Sequence, residues 1–165
     1  MIGSEMKMNQ KMICLIESRS NENKSEILQF EFVKLKDLFF QNFVTVADCV
    51  IISNQSQQLL TKQFDNALKM YLDKTGYEAG NTEIRINDFL ENPISVLDAI
   101  ELAFLVIECW AFQLINRDIR SKTCFILSCD GDYVTLRFHI TRENENMWLM
   151  DSLEDYKEPV GYIII

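Results

Sequence analysis

His139 is the single histidine of the chain, so any Ser-His-Asp or Cys-His catalytic site would have to use it. If Asp130-Gly131 is the loop of a hairpin, Cys124 lies opposite Arg137 and diagonal to His139 on the outer face of the two strands. A neighbouring Arg would favour the thiolate, which is the nucleophile of cysteine hydrolases. The spacing therefore leaves open a small hydrolase that uses Cys124 and His139.

The other parts of a catalytic site are missing from the sequence around these residues. No helix N-terminus and no Gly-rich loop adjoins the two strands to stabilise an oxyanion. The strand face that carries His139 is predicted to be open and polar, where a single histidine has an ordinary structural role. We therefore predict that the protein is not an enzyme and that it has no catalytic residue and no cofactor.

Metal and phosphate sites are not indicated either. Zinc sites favour closely spaced pairs of Cys or His, and the sequence has none. Asp130-Gly131-Asp132 resembles part of a calcium loop, but a tight turn explains it and the further carboxylates are missing. The acids between Glu143 and Asp155 could hold calcium weakly, although a solvated surface is the simpler interpretation. No GxxxxGK[ST] or GxGxxG motif is present.

A second group of residues, near the C-terminus, is suited to binding another protein. Met147-Trp148-Leu149 lies among carboxylates and a tyrosine, and aromatic anchors with acidic neighbours favour binding to basic partners. The alternative is that Trp148 fills the edge of the core. The predicted partner-binding residues are Glu143, Glu145, Trp148, Asp151, Glu154, Asp155, Tyr156 and Glu158.

The net charge of −9 is unevenly distributed. Glu78–Glu108 contains seven acids and one base, and Glu143–Ile165 contains six acids and one base. Such segments disfavour direct binding of nucleic acid, which requires clustered Lys and Arg. They suit a basic protein partner, or they only keep the domain in solution.

Cysteine usage and hydropathy predict a cytoplasmic protein that does not enter a membrane. The chain has five cysteines, an odd number, and none of them form a CxxC pair. This cysteine pattern is typical of proteins in a reducing compartment. The apolar run Met12–Ile16 is shorter than the roughly 7 to 15 residues of a signal-peptide core. Ile94–Ile115 is apolar enough to consider as a membrane span, but Asp98, Glu101 and Glu108 would be costly inside a bilayer.

The chain of 165 residues fits a single domain over residues 1–165, with Met1–Gln10 as a flexible arm. The pattern predicts an α+β fold, in which an antiparallel sheet packs against a central buried helix and a second amphipathic helix. The central helix is Ile94–Ile115, which begins at Asn92-Pro93 and is apolar on most sides. The amphipathic helix is Asn54–Thr75, capped by Asn54 and followed by Gly76.

Alternating residues predict an antiparallel hairpin over Lys122–Arg142, turning at Asp130-Gly131 as a type I′ loop. This register pairs Cys129 with Asp132, Leu127 with Val134 and Phe125 with Leu136. The inner face then consists of Phe125, Leu127, Val134, Leu136 and Phe138. Further strands are predicted at Met12–Ile16, Thr82–Asn87 (an edge strand) and Val160–Ile165. Ile27–Leu35 fits a strand or a helix and is assigned to a strand, followed by a helical or irregular Lys36–Phe43.

The hairpin ends in Arg-Glu-Asn-Glu-Asn-Met-Trp-Leu and is followed by an acidic tail, Asp151–Pro159. With the small, acidic α+β character of the chain, these features resemble the immunity proteins of bacterial polymorphic-toxin and contact-dependent growth inhibition systems. The resemblance covers mainly Thr123–Ile165. It implies an inhibitor that binds a cognate toxin domain, commonly a basic nuclease, and occludes its active site. An acidic secretion-effector chaperone is the alternative among binding proteins, although such chaperones are usually dimers and the C-terminal strand fits them less well.

Overall fold

A computed structural model describes residues 6–18, 32–117, 119 and 122–165, and it confirms the predicted α+β class. The helices are α1 (Gln10–Ser18), α2 (Phe32–Phe39), α3 (Gln57–Tyr71), α4 (Lys74–Asn81) and α5 (Val96–Asn116). The strands are β1 (Lys7–Met8), β2 (Phe43–Val46), β3 (Cys49–Ile52), β4 (Ile84–Arg85), β5 (Thr123–Asp130), β6 (Tyr133–Ile140) and β7 (Val160–Ile164). Two 3-10 turns lie at Ile86–Phe89 and Leu153–Asp155.

The larger sheet has five strands in the order β1-β7-β5-β6-β4, and every neighbouring pair is antiparallel. The predicted edge strand Thr82–Asn87 is confirmed only over β4, because Ile86 and Asn87 belong to a 3-10 turn, and the predicted terminal strand is confirmed as β7, which pairs with β5. Helix α5 packs on one face of this sheet, where Trp110 lies edge-to-face with Phe138. The main core therefore lies between α5 and the inner face of the β5–β6 hairpin.

Helix α5 is confirmed as the centre of the core, but its predicted start is wrong. Nine of its side chains are buried, because it is apolar on all but one side. The helix begins at Val96, and Ser95 rather than Asn92 caps it: the Ser95 hydroxyl oxygen accepts a hydrogen bond from the Asp98 amide at 3.1 Å. A hydroxyl one residue before the helix reaches the free amides of the first turn, and Asn92 lies too far upstream to do so.

The β5–β6 hairpin is confirmed, and all five predicted inner-face residues are buried. Its predicted turn lies one residue too early, so each β5 residue pairs with a β6 residue two positions further along than predicted. Cys129 pairs with Val134 and Phe125 with Phe138, so the loop is Gly131-Asp132. Gly131 has a φ of +58°, and a two-residue loop with glycine first forms a type II′ turn, whereas Asp130-Gly131 would require type I′. The partner shift of two residues leaves each side chain on its predicted face.

The second sheet is a hairpin of β2 and β3 that the sequence analysis did not predict. Its loop, Ala47-Asp48, has positive φ at both positions without a glycine, and this lack of a glycine signal concealed the turn. Helices α3 and α4 pack on this sheet around Phe64 and Tyr77. The predicted amphipathic helix is therefore confirmed, and it covers the smaller sheet.

The predicted limits of that helix are wrong at both ends. Ser56 caps α3 in place of Asn54, and α3 ends before Leu72, which has a φ of +70°. Gly76 does not follow the helix but lies inside α4, because Asp73 starts a new helix by accepting a hydrogen bond from the Gly76 amide at 2.7 Å.

The N-terminal region differs from two expectations. The predicted strand Met12–Ile16 is part of α1, because the Asn9 side chain accepts a hydrogen bond from the Met12 amide at 2.9 Å and caps a helix there. The described part of the predicted flexible arm is ordered, since β1 pairs with β7. Within the predicted strand Ile27–Leu35, residues 32–35 belong to α2, and residues 27–31 lie outside the described residues.

We expect Trp110→Ala to lower the free energy of unfolding by about 3–5 kcal/mol, because it leaves a cavity at the centre of the core. Trp110 is fully buried, and its indole N–H donates to the Leu38 carbonyl at 3.0 Å. The matched control is Phe112→Ala on the same helix, where the side chain is 64% exposed and the change should stay within about 0.5 kcal/mol. Denaturant unfolding of both variants measures this difference, and equal losses would contradict the assignment of the core.

Candidate functional site

An irregular segment, residues 141–159, crosses the outer face of the larger sheet and is called the outer loop here. It covers the apolar side chains that β5 and β7 direct away from α5. Cys124, Ile126 and Val160 are buried beneath it, against Met147, Leu149, Leu153 and Tyr156. The outer face is therefore a second, smaller core rather than the open polar face that the sequence analysis predicted.

Arg142 fixes the start of the outer loop through a buried ion pair with Glu78 of α4. The guanidinium donates to both carboxylate oxygens, with N–O distances of 2.7 and 2.9 Å. The Val50 amide of β3 donates to one oxygen at 2.7 Å, and the Ile140 amide of β6 donates to the other at 2.8 Å. Arg142 also donates to the Asp48 carbonyl in the β2–β3 loop at 3.0 Å. This cluster joins both sheets, α4 and the outer loop.

The charges of this pair depend on each other. Burial raises the pKa of the Glu78 carboxyl, against the opposing effect of its four hydrogen-bond donors. Burial alone would lower the pKa of Arg142, but the hydrogen bonds and charge of Glu78 raise it. Donors surround both oxygens of Glu78, so the geometry fits an ionised carboxylate and its guanidinium partner.

Glu145 also holds the loop in place. Its carboxylate accepts hydrogen bonds from the amide and the hydroxyl of Thr75, at 2.8 and 2.7 Å, in the first turn of α4. Burial would raise the pKa of Glu145, but the Thr75 hydrogen bonds and Arg142 lower it. A carboxylate at a helix N-terminus stabilises the free amides there. This predicted partner-binding residue therefore has a structural role.

His139 lies in the floor beneath the outer loop and is fully buried, which corrects its predicted place on an open face. One ring nitrogen, Nδ1, is 3.1 Å from the Ile140 carbonyl and so carries the proton. The other, Nε2, accepts a hydrogen bond from the Trp148 amide at 3.5 Å. Burial lowers the pKa of His139, which keeps the ring neutral and able to accept this bond.

Cys124 lies directly opposite His139 on the β5–β6 ladder, closer than the diagonal position predicted. Burial raises the pKa of the Cys124 thiol to about 12, and Arg137, the predicted activating residue, instead pairs with Ile126 in the ladder. Backbone groups engage both ring nitrogens of His139. A general base needs an available nitrogen and the nucleophile a thiolate, so this geometry does not supply the chemistry of a Cys-His hydrolase.

The C-terminal part of the outer loop is held by the start of α1. Asn9 is fully buried and donates to the carbonyls of Leu153 and Glu158, at 3.3 and 2.8 Å. The Gln10 amide donates to the Glu154 carboxylate at 2.9 Å, so Glu154 caps the N-terminus of α1. The sequence analysis missed Asn9, because nothing near it along the chain indicates partners about 150 residues away.

The exposed surface of the outer loop carries the remaining predicted residues. Trp148 is 43% exposed, and the Arg137 guanidinium lies 5.9 Å from its ring, in cation–π range. Arg137 is itself paired with Glu83 at 2.9 Å. Other exposed side chains of the outer loop include those of Glu143, Met150, Asp151, Glu154 and Asp155.

The structure thus divides the eight predicted residues into two groups. Glu145, Glu154 and Tyr156 hold the loop, the last by accepting a hydrogen bond from the Met150 amide at 3.0 Å. The backbone carbonyl of Glu158 accepts a hydrogen bond from the Asn9 side chain. Glu143, Trp148, Asp151 and Asp155 remain exposed on one segment, and Glu154 is exposed as well although it caps α1. Sequence reasoning did not separate the residues that hold this segment in place from those that it exposes.

Neither a metal-binding group nor a membrane-spanning helix is found within the described ranges. No group of three or more His, Cys, Asp or Glu side chains there is arranged to hold a metal ion. None of the helices that the structure describes combines the length and the hydropathy of a membrane-spanning segment. Two clefts of about 550 and 280 Å³ lie beside β2 and α3, away from the outer loop.

We expect Glu78→Gln to lower the free energy of unfolding by about 3–5 kcal/mol, because it leaves the Arg142 charge buried without its partner. The matched control is Glu83→Gln, which breaks the more exposed pair with Arg137 and should cost less than about 1 kcal/mol. Urea unfolding at neutral pH compares the two. Similar losses in both variants would show that the buried pair does not join the sheets as described.

We expect the stability of the protein to fall as the pH drops below about 6.5, the ordinary pKa of His. Burial lowers the pKa of His139 in the folded state, so the unfolded chain binds the proton more readily and protonation favours unfolding. Arg142, Asp73 and Glu145 also influence this ring. His139→Gln, which does not titrate, should give a flatter slope of unfolding free energy between pH 7 and about 5.5. Equal slopes for the two proteins would contradict this role of His139.

Comparison with known proteins gives a family for the chain. No curated protein and no solved structure matches it. The family described as "Uncharacterized protein PM0498 family" matches residues 7–164, from the first described strand to the end of β7. The match includes both sheets, the buried ion pair and the whole outer loop. The chain therefore belongs to the PM0498 family.

Proposed function

We propose that the protein is a non-catalytic inhibitor that binds a basic protein domain through the exposed surface of its outer loop. The observation that carries this proposal is the way in which the loop is held. Although it lacks regular structure over most of its length, the loop is held by hydrogen bonds with Thr75, His139 and Asn9. Loops fixed on a rigid scaffold are common binding elements, because little conformational entropy is lost when the partner binds.

The exposed side chains of the loop have the composition of an interface. Trp148 and Met150 provide apolar contact area, and Glu143, Asp151 and Asp155 add exposed negative charge on the same loop. Tryptophan is enriched among the residues that dominate binding energy, and surrounding charges mainly accelerate association. Residues from Glu143 onward carry six acids and only Lys157 as a base, so the complementary surface is basic.

The class of partner follows from this charge and from the resemblance to immunity proteins. A nuclease toxin binds phosphates through clustered Lys and Arg, and carboxylates on a fixed loop would occupy the same side chains. The protein would then neutralise its cognate toxin by covering the active site or the substrate groove. The alternative hydrolase has less support, because Cys124 is buried and His139 is fully engaged.

We expect association with a basic toxin domain to slow as salt rises, because screening removes long-range attraction. A toxin domain encoded by a neighbouring gene is the partner to test, with growth rescue on co-expression as the functional measurement. Asp151→Lys combined with Asp155→Lys should reduce the association rate by about tenfold at low salt. Trp148→Ala should mainly accelerate dissociation.

The matched control reverses two exposed acids elsewhere, Asp37→Lys with Asp65→Lys, and makes the same change in net charge. It should retain most of the association rate if the outer loop is the interface. If both double variants associate equally slowly, net charge alone explains the slower association, and the outer loop is not the interface. Failure of the wild-type protein to bind or to rescue growth would contradict the inhibitor proposal.

A further inference from the structure

Helix α5 carries an exposed stripe on the side that faces away from the sheet. The stripe consists of Glu101, Leu105, Glu108, Phe112 and Ile115. Their spacing alternates between four and three residues, so at 100° per residue they lie within about 80° of arc and extend for about 21 Å. This is the spacing of the seam of a coiled coil, which a second helix covers.

The apolar members of the stripe are unusually exposed for their size. Leu105, Phe112 and Ile115 are 55%, 64% and 58% exposed on a helix whose other large apolar side chains are mostly buried. Phe40, at the end of α2, is 63% exposed, and it lies near the stripe because the Gln113 side chain donates to the preceding Phe39 carbonyl at 2.6 Å. These side chains place exposed apolar surface along one side of α5, and exposed apolar surface of this kind marks interaction sites.

The two glutamates of the stripe determine which kind of partner helix can bind it. Glu108 lies at its midpoint, between Leu105 and Phe112, and forms no ion pair with the residues that the structure describes. A parallel second copy would place Glu101 and Glu108 against the same residues of the other chain. An antiparallel copy centred on the stripe would also bring the two Glu108 side chains together, and like charges there are destabilising. A helix with apolar seam residues and flanking Lys or Arg has neither conflict.

We propose that the α5 stripe is a second docking surface, which binds an amphipathic basic helix of a partner protein. It lies on the opposite side of the larger sheet from the outer loop, since α5 packs on the inner face and the loop on the outer face. The two surfaces therefore do not overlap. A partner could be held at α5 while the outer loop remains available.

A synthetic helical peptide tests this proposal. The probe has Leu at the a and d positions of three heptads and Lys at e and g, and the comparison peptide has Glu in place of Lys. Fluorescence anisotropy should detect binding of the Lys peptide and much weaker binding of the Glu peptide. Phe112→Ser and Glu108→Lys should each weaken binding of the Lys peptide by about tenfold or more, the effect of losing a central contact.

Matched controls are Met70→Ser and Asp65→Lys on the exposed side of α3, which should bind the Lys peptide as the wild type does. Circular dichroism confirms that each variant is folded. Equal binding by stripe and control variants would overturn the proposal, because the peptide would then respond only to net charge. Sedimentation showing a wild-type dimer that Phe112→Ser abolishes would also overturn it, since the occupant would be a second copy.

Discussion

Glu78 is a carboxylate without solvent exposure, and the arrangement of the two sheets depends on how its charge is satisfied. An isolated buried carboxylate would cost many kcal/mol, so the chain must bring enough donors to it. Two come from strand amides in different sheets and two from Arg142. Because these donors come from β3, β6 and the outer loop, satisfying Glu78 fixes all three with respect to α4. The Ala47-Asp48 loop, with its positive φ values, is held by the same guanidinium.

The larger sheet separates two apolar regions, the main core against α5 and the smaller core beneath the outer loop. Its inner face packs on α5 and forms the main core. Its outer face is too apolar to remain exposed, and the outer loop covers it with Met147, Leu149 and Leu153. A segment that lacks backbone ladder bonds requires other hydrogen bonds, and His139, Asn9 and Tyr156 provide them. A neutral histidine beneath the loop therefore contributes to holding the loop in place.

Local patterns predicted the elements whose side chains alternate or repeat without interruption. The run of apolar residues in α5 and the two halves of the β5–β6 hairpin are long enough that only one structure buries them. Patterns of four or five residues were less informative: Met12–Ile16 fits a strand as well as a helix, and the Asn9 side chain decided for the helix. The β2–β3 hairpin was missed because its loop contains Ala and Asp where glycine is the usual signal.

The sequence by itself determined the α+β class, the buried helix, the faces of the central hairpin and the acidic segment that includes Trp148. Each follows from periodicity or composition within one stretch of chain, where neighbours in sequence are also neighbours in space. The tertiary structure alone decided which acids hold the fold together, because Glu78, Glu145 and Glu154 find their partners far along the chain. It also decided that His139 is neutral and enclosed, since the outer loop that covers it follows the strand and returns over it. Burial and pairing are properties of the folded surroundings, so residue type and local spacing do not specify them.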